Sequence, residues 1–113
     1  MGAEKRRDPR VPSYAKAVIV ESQVPGYVRD LSVSGCHLVF LQRPPASVGD
    51  VLAVRIIAEH DPSILPFLVR LRVRRLIDDP PWHSVGAQIE SRLEENDEQA
   101  FEKLVRYYSG TNG

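Results

Sequence analysis

FLVRLRVRR, residues 67–75, alternates: Val69, Leu71 and Val73 fall on one side, and Arg70, Arg72 and Arg74 on the other. A period of two marks a strand with one face on a core and the other in water. Short strand-like segments precede and follow it. AKAVIVE (15–21) is β-branched, and Pro25-Gly26 marks a turn before YVRDL (27–31). CHLVF (36–40) follows a polar loop, and RPPASVGD (43–50) is a proline-rich connection into VLAVRIIAE (51–59). DDPPWH (78–83) breaks the pattern again, and SVGAQI (84–89) supplies one more strand.

The end of the chain changes period. Asn96 and Gln99 have capping-box spacing, and Asp97 and Glu98 suit the positive start of a helix. Phe101, Leu104, Val105 and Tyr108 then form an i, i+3, i+4, i+7 stripe, with Gly110 as a stop. About six short strands joined by short loops pair antiparallel, and closing them into a barrel leaves no exposed edge. The expected fold is therefore all-β with one helix: a six-stranded antiparallel β-barrel capped by a C-terminal α-helix.

At 113 residues the chain is one domain, and 42% hydrophobic with 27% charged residues places it among ordinary globular proteins. No apolar run approaches the roughly 20 residues of a membrane span. MGAEKRRDPR lacks the apolar centre of a signal peptide, so a cytoplasmic protein without membrane insertion is expected. The single Cys36 can form no internal disulfide and reads as a small buried strand residue. Net charge is zero, which argues against a general polyanion binder, but the charges are uneven. Lys5, Arg6, Arg7 and Arg10 stand against Asp8, Arg70 to Arg75 form a second basic cluster, and residues 90–102 are acidic.

Enzymatic constellations are not evident. His37, His60 and His83 are scattered, with neither metal-ligand spacing nor a nucleophile beside them, and there is no glycine-rich phosphate loop. Trp82, between Pro81 and His83, reads as loop packing. A non-enzyme without metal or cofactor is expected.

Two polar motifs remain. Arg6-Arg7-Asp8-Pro9-Arg10 is an Arg-x-x-x-Arg pair in an N-terminal arm, and Asp30-Leu31-Ser32-Val33-Ser34-Gly35 is an Asp-x-Ser-x-x-Gly between strands. Alone, the first is an ordinary solvated tail and the second an ordinary turn. Together, in this order, ahead of VRVRRLIDDPPWHSVGAQIESRL and a final helix, they resemble the PilZ domain, a bacterial family that senses cyclic di-GMP.

The resemblance implies a six-stranded barrel with a C-terminal helix, in agreement with the periodicity. It implies a flexible arm over residues 1–12, loosely held without ligand, and a barrel-plus-helix unit over 13–110. It also implies ligand contacts from Arg6, Arg10, Asp30, Ser32 and Gly35. Arginine forks match a phosphate or the O6 and N7 acceptors of guanine. The carboxylate of Asp30 can only accept, which suits the N–H donors of guanine's other edge. Ser32 can donate to an oxygen, and Gly35 permits a tight turn and close approach of ligand. Lys5, Arg7, Ser34, Arg74 and Arg75 are further candidates. An arginine near positions 74 and 75 can pack on a guanine face. Lys5 and Arg7 add positive charge that favours two stacked ligands per chain.

The function so implied is a cyclic di-GMP receptor, expected to be a monomer, that signals to an unidentified downstream protein. Two other readings compete. One is a PilZ-like adaptor that works without ligand; the complete motif weighs against it. The other is a barrel binding single-stranded nucleic acid through Arg70, Arg72 and Arg74, which lack the interleaved aromatics that base stacking needs.

Overall fold

A computed structural model of the chain describes residues 14–92 and 95–110, with backbone alone at 92, 95 and 96. Six strands precede one helix: β1 (Lys16–Ile19), β2 (Pro25–Leu31), β3 (Gly35–Phe40), β4 (Val51–Ile57), β5 (Phe67–Asp79), β6 (Trp82–Arg92) and α1 (Glu95–Gly110). They form a closed barrel in the order β1-β2-β3-β6-β5-β4, with every pairing antiparallel. Closure comes from the pairing of β1 with β4, Lys16 to Ile19 opposite Ile57 to Val54, so that each described strand has a partner on both sides. The architecture is the one the periodicity predicts.

Alternation decides which side chains enter the barrel. Val69, Leu71 and Val73 of β5 are fully buried while Arg70 and Arg74 are exposed. Val28, Leu38, Phe40, Val54, Ile56 and Val85 fill the interior from the other strands. Helix α1 completes it with Ala100, Phe101 and Leu104, which belong to the same apolar cluster. The Phe101 ring meets Phe67 edge-on, with centroids 6.2 Å apart. Tyr108 fastens the helix to the barrel: its hydroxyl donates to the Val28 carbonyl of β2 and accepts from the Ala15 amide at 3.1 Å. Burial, the largest influence, raises that hydroxyl above the ordinary phenol range.

Several boundaries differ from the sequence reading. Pro25 and Gly26 lie inside β2, not in a turn. The chain reverses earlier, at residues 20–22, so β1 stops at Ile19, and Gln23 takes the positive φ of 63°. The glycine is needed for packing: a Cβ on Gly26 would come within 2.5 Å of both the Phe40 ring and the Val39 carbonyl of β3. The DDPPWH segment is mostly strand. β5 runs to Asp79 and β6 starts at Trp82, leaving Pro80 and Pro81, joined by a cis peptide, as the whole turn. Helix α1 is under way at Glu95, so Asn96 sits within it and is not its cap.

Because the neighbour that a Gly26 Cβ meets includes backbone, the strands must separate to admit it. Gly26→Ala is expected to cost about 1–3 kcal/mol, the usual range for overpacking, read as a lower urea midpoint.

Candidate functional site

The Asp30–Gly35 loop is organised by its own backbone. The Ser32 amide donates to the Gly35 carbonyl at 2.9 Å, the Gly35 amide donates to Ser32 Oγ, and Oγ donates back to the Gly35 carbonyl, the last two at 3.2 Å. The Ile89 amide of β6 donates to the Ser34 carbonyl at 2.9 Å and pins the loop to the barrel. Gly35 does not have the left-handed backbone of a tight turn; positive φ among the described glycines belongs to Gly49. What the absent Cβ leaves room for is the Ala87 carbonyl, 3.0 Å from where it would stand. Gly35 thus permits close pairing of β3 with β6, which corrects the turn expected from sequence.

Asp30 faces outward because of an irregularity in β2. Val28 pairs with Leu38 and Asp30 with His37, leaving Arg29 without a counterpart in a β-bulge. Val28 and Leu31 are buried while both Arg29 and Asp30 are exposed. A second bulge interrupts β5 between Val73 and Arg75, so that Arg74 and Arg75 are both exposed and Arg75 pairs with Gly86.

Registers across the sheet place Asp30 (β2), His37 (β3), Gly86 (β6) and Arg75 (β5) in one transverse row. Gly86 offers no side chain, and Arg75 lies over it with Nε 3.8 Å from the position a Cβ would take. The row therefore carries a carboxylate at one end and a guanidinium at the other, about three strand spacings apart. Of the two arginines proposed from sequence, Arg75 occupies the row and Arg74 the bulge beside it. Arg72 is committed elsewhere, to Glu90 at 2.9 Å and the Gly49 carbonyl at 3.1 Å.

Beside the row lies a groove of about 480 Å³. Tyr14, Tyr27, Val39 and Trp82 form its apolar walls, and Arg29, Asp79 and Ser84 contribute its polar groups. The sequence reading missed these residues. It assigned Trp82 to loop packing, whereas Trp82 opens β6 and keeps 39% of its surface exposed. At the hairpin, His83 Nδ1 lies 2.8 Å from Asp78, and this hydrogen bond, aided by the charge of Arg43, holds the Asp78 carboxyl below its usual range.

Lys5, Arg6, Arg7 and Arg10 lie outside the described residues. Among the described residues, no group of three or more His, Cys, Asp or Glu could hold a metal ion. No helix is long and apolar enough to cross a membrane.

Comparison with known proteins agrees with this geometry. The PilZ domain model matches residues 4–108, and the chain belongs to the PilZ family of cyclic di-GMP receptor domains. Among solved structures, MrkH of K. pneumonia in its apo state matches with a TM-score of 0.66 and 16% identity. The match covers 96% of this chain and 54% of MrkH, so the chain spans about half the length of that neighbour, and the likeness is one of fold. No curated protein sequence matches the chain.

Cys36, on β3 within the loop's reach, packs against the core, and burial pushes its thiol up to about 12. At pH 8.5 it is almost wholly protonated, whereas an unfolded cysteine is about half thiolate there. Iodoacetamide at that pH should therefore label the native protein far more slowly than the urea-unfolded chain, as followed by mass spectrometry.

Proposed function

We propose that the chain is a cyclic di-GMP receptor whose ligand lies against the outer face of β2, β3, β6 and β5, held between that face and the N-terminal arm. The observation that carries this reading is the Asp30–His37–Gly86–Arg75 row, with opposite charges at its ends set outward by two bulges. Arg75 is suited to a guanine or a phosphate, and Asp30 to the N–H donors of guanine. Ser32 and Gly35 hold the loop, through the Ser32 hydroxyl and the Gly35 amide and carbonyl, in place beside the row.

The arm can reach this face. Tyr14, the first described residue, lines the groove beside the row. Covalent geometry limits Arg10 to within about 14 Å of it, Cα to Cα. Arg6 and Arg10 then supply forks from the arm for phosphate and base, with Lys5 and Arg7 adding charge. Ser34 and Arg74 stand at the margins of the same face. Ligand that bridges arm and barrel creates a composite surface for a downstream protein, an order-dependent switch in a monomeric, cytoplasmic bacterial receptor without catalytic activity. The nucleic-acid reading loses ground because Arg72 already spends its guanidinium on Glu90 and Gly49.

Arg6→Ala or Arg10→Ala is expected to weaken cyclic di-GMP binding about tenfold or more and to leave the melting temperature of the free protein unchanged. Asp30→Ala weakens it as well. Parent-like affinity in all three variants, measured by calorimetry, rules the site out.

The stoichiometry expected is two ligands per chain, since two stacked molecules bring four phosphates to the basic arm. Lys5→Leu should shift the calorimetric ratio towards one. A ratio of one for the unmodified protein at saturating ligand refutes the pair.

A further inference from the structure

The groove beside the row has a composition that the motif does not account for. Its lining comes from four strands and the chain segment before β1, with Arg29 on β2 and Asp79 at the end of β5. In the barrel order, β3 and β6 lie between those two strands, so Arg29 and Asp79 stand at opposite ends of the groove. Trp82 pairs with Asp79 at one end, Tyr27 lies two residues before Arg29 on β2, and Val39 of β3 and Tyr14 before β1 complete the lining; the three aromatic side chains are each about 40% exposed. Exposed aromatic side chains that line one groove can offer faces on which a planar group stacks.

The polar ends say which planar group. A guanidinium fork reads a pair of acceptors, and guanine has O6 and N7 on one edge. A carboxylate takes donors only, and guanine offers N1–H and N2–H₂ on the edge opposite N7. Adenine fits neither end: its N6 amine is a donor that meets Arg29, and its N1 is an acceptor that meets Asp79. At about 480 Å³ the space admits a nucleobase with its sugar.

We propose that this groove is a guanine-selective subsite in which the base stacks on Trp82 and Tyr27, with Arg29 on its O6/N7 edge and Asp79 on its N1/N2 edge. The proposal rests on the cyclic di-GMP reading and deepens it. One guanine of the ligand engages the Asp30–Arg75 row, and a second enters the groove through the Arg29–Asp30 bulge that the two sites share. Selectivity for guanine over adenine is then carried by Asp79 as well as by Asp30.

Trp82 is the sole tryptophan of the chain, so its emission reports on the groove directly. The experiment titrates the full chain with cyclic di-GMP and with cyclic di-AMP, following tryptophan fluorescence and calorimetry in parallel. Quenching of Trp82 by cyclic di-GMP is expected, with the same midpoint as the heat. Trp82→Ala should lower affinity about tenfold or more. Asp79→Asn, which replaces an acceptor by a group that can also donate, should narrow the preference for cyclic di-GMP over cyclic di-AMP about tenfold. Full calorimetric binding with unchanged Trp82 emission and parent-like affinity in both variants overturns the subsite and leaves the receptor reading standing. Absence of heat with cyclic di-GMP overturns both.

Discussion

A strand alternates its side chains, so with Val28 inside the barrel, Asp30 two residues on would also point inside. The extra residue at Arg29 prevents this, and the next inward side chain becomes Leu31. Without that one-residue irregularity, a carboxylate would be buried in an apolar core, where an unpaired charge is not tolerated. β5 carries a similar device: Val73 points in and Arg74 and Arg75 both face solvent, although Leu76, opposite the buried Val85, stays 40% exposed. The candidate site is bracketed by these two bulges. They convert the inside-outside rhythm of a barrel into an outer surface that carries a charge at each end.

Between the bulges, the barrel acts as a ruler. Antiparallel registers hold Asp30, His37, Gly86 and Arg75 in line, and the closeness of those registers depends on small residues. Gly35 admits the Ala87 carbonyl, Gly26 admits Phe40, and Gly86 gives Arg75 room to lie flat. Tyr108 then links this face to the helix. Its hydroxyl joins the Val28 carbonyl, directly before the first bulge, to the Ala15 amide, where the arm enters the barrel. One side chain of α1 thus joins β2 to the segment that leads into β1.

Periodicity made the barrel legible. The alternation of Val69, Leu71 and Val73 and the stripe of Phe101 and Leu104 are local patterns, and burial follows them closely. Boundaries were harder because two turn-forming pairs mislead. Pro25-Gly26 reads as a turn but lies in β2, since its glycine answers a contact with Phe40, fourteen positions away in the chain. Pro80-Pro81 reads as the centre of a long break but is a two-residue turn between paired strands. Of the candidate site, Asp30 and the loop were visible as a motif, and Arg75 as one of two candidate arginines. The groove was not visible, because Tyr27, Val39 and Trp82 become neighbours only through the β2-β3-β6 pairings, and Tyr14 joins them from the segment before β1. Outward apolar residues on separate strands leave no local signature, although an exposed tryptophan at a strand's first residue is the one hint the sequence held.

The residues of the Asp-x-Ser-x-x-Gly motif also divide by the work they do. Ser32 spends its hydroxyl on the loop's backbone, accepting from one Gly35 group and donating to the other, and Gly35 is fixed by the nearness of β6. Both would be favoured here even without a ligand, because they satisfy backbone groups and permit a strand pairing. Asp30 is different. It has no structural counterpart of this kind among the described residues, and the bulge that exposes it introduces an unpaired residue into a ladder that would otherwise run through. Folding accounts for Ser32 and Gly35, and substitutions at these two disturb the loop itself, whereas Asp30 is the member of the motif that the bulge leaves on the outer surface.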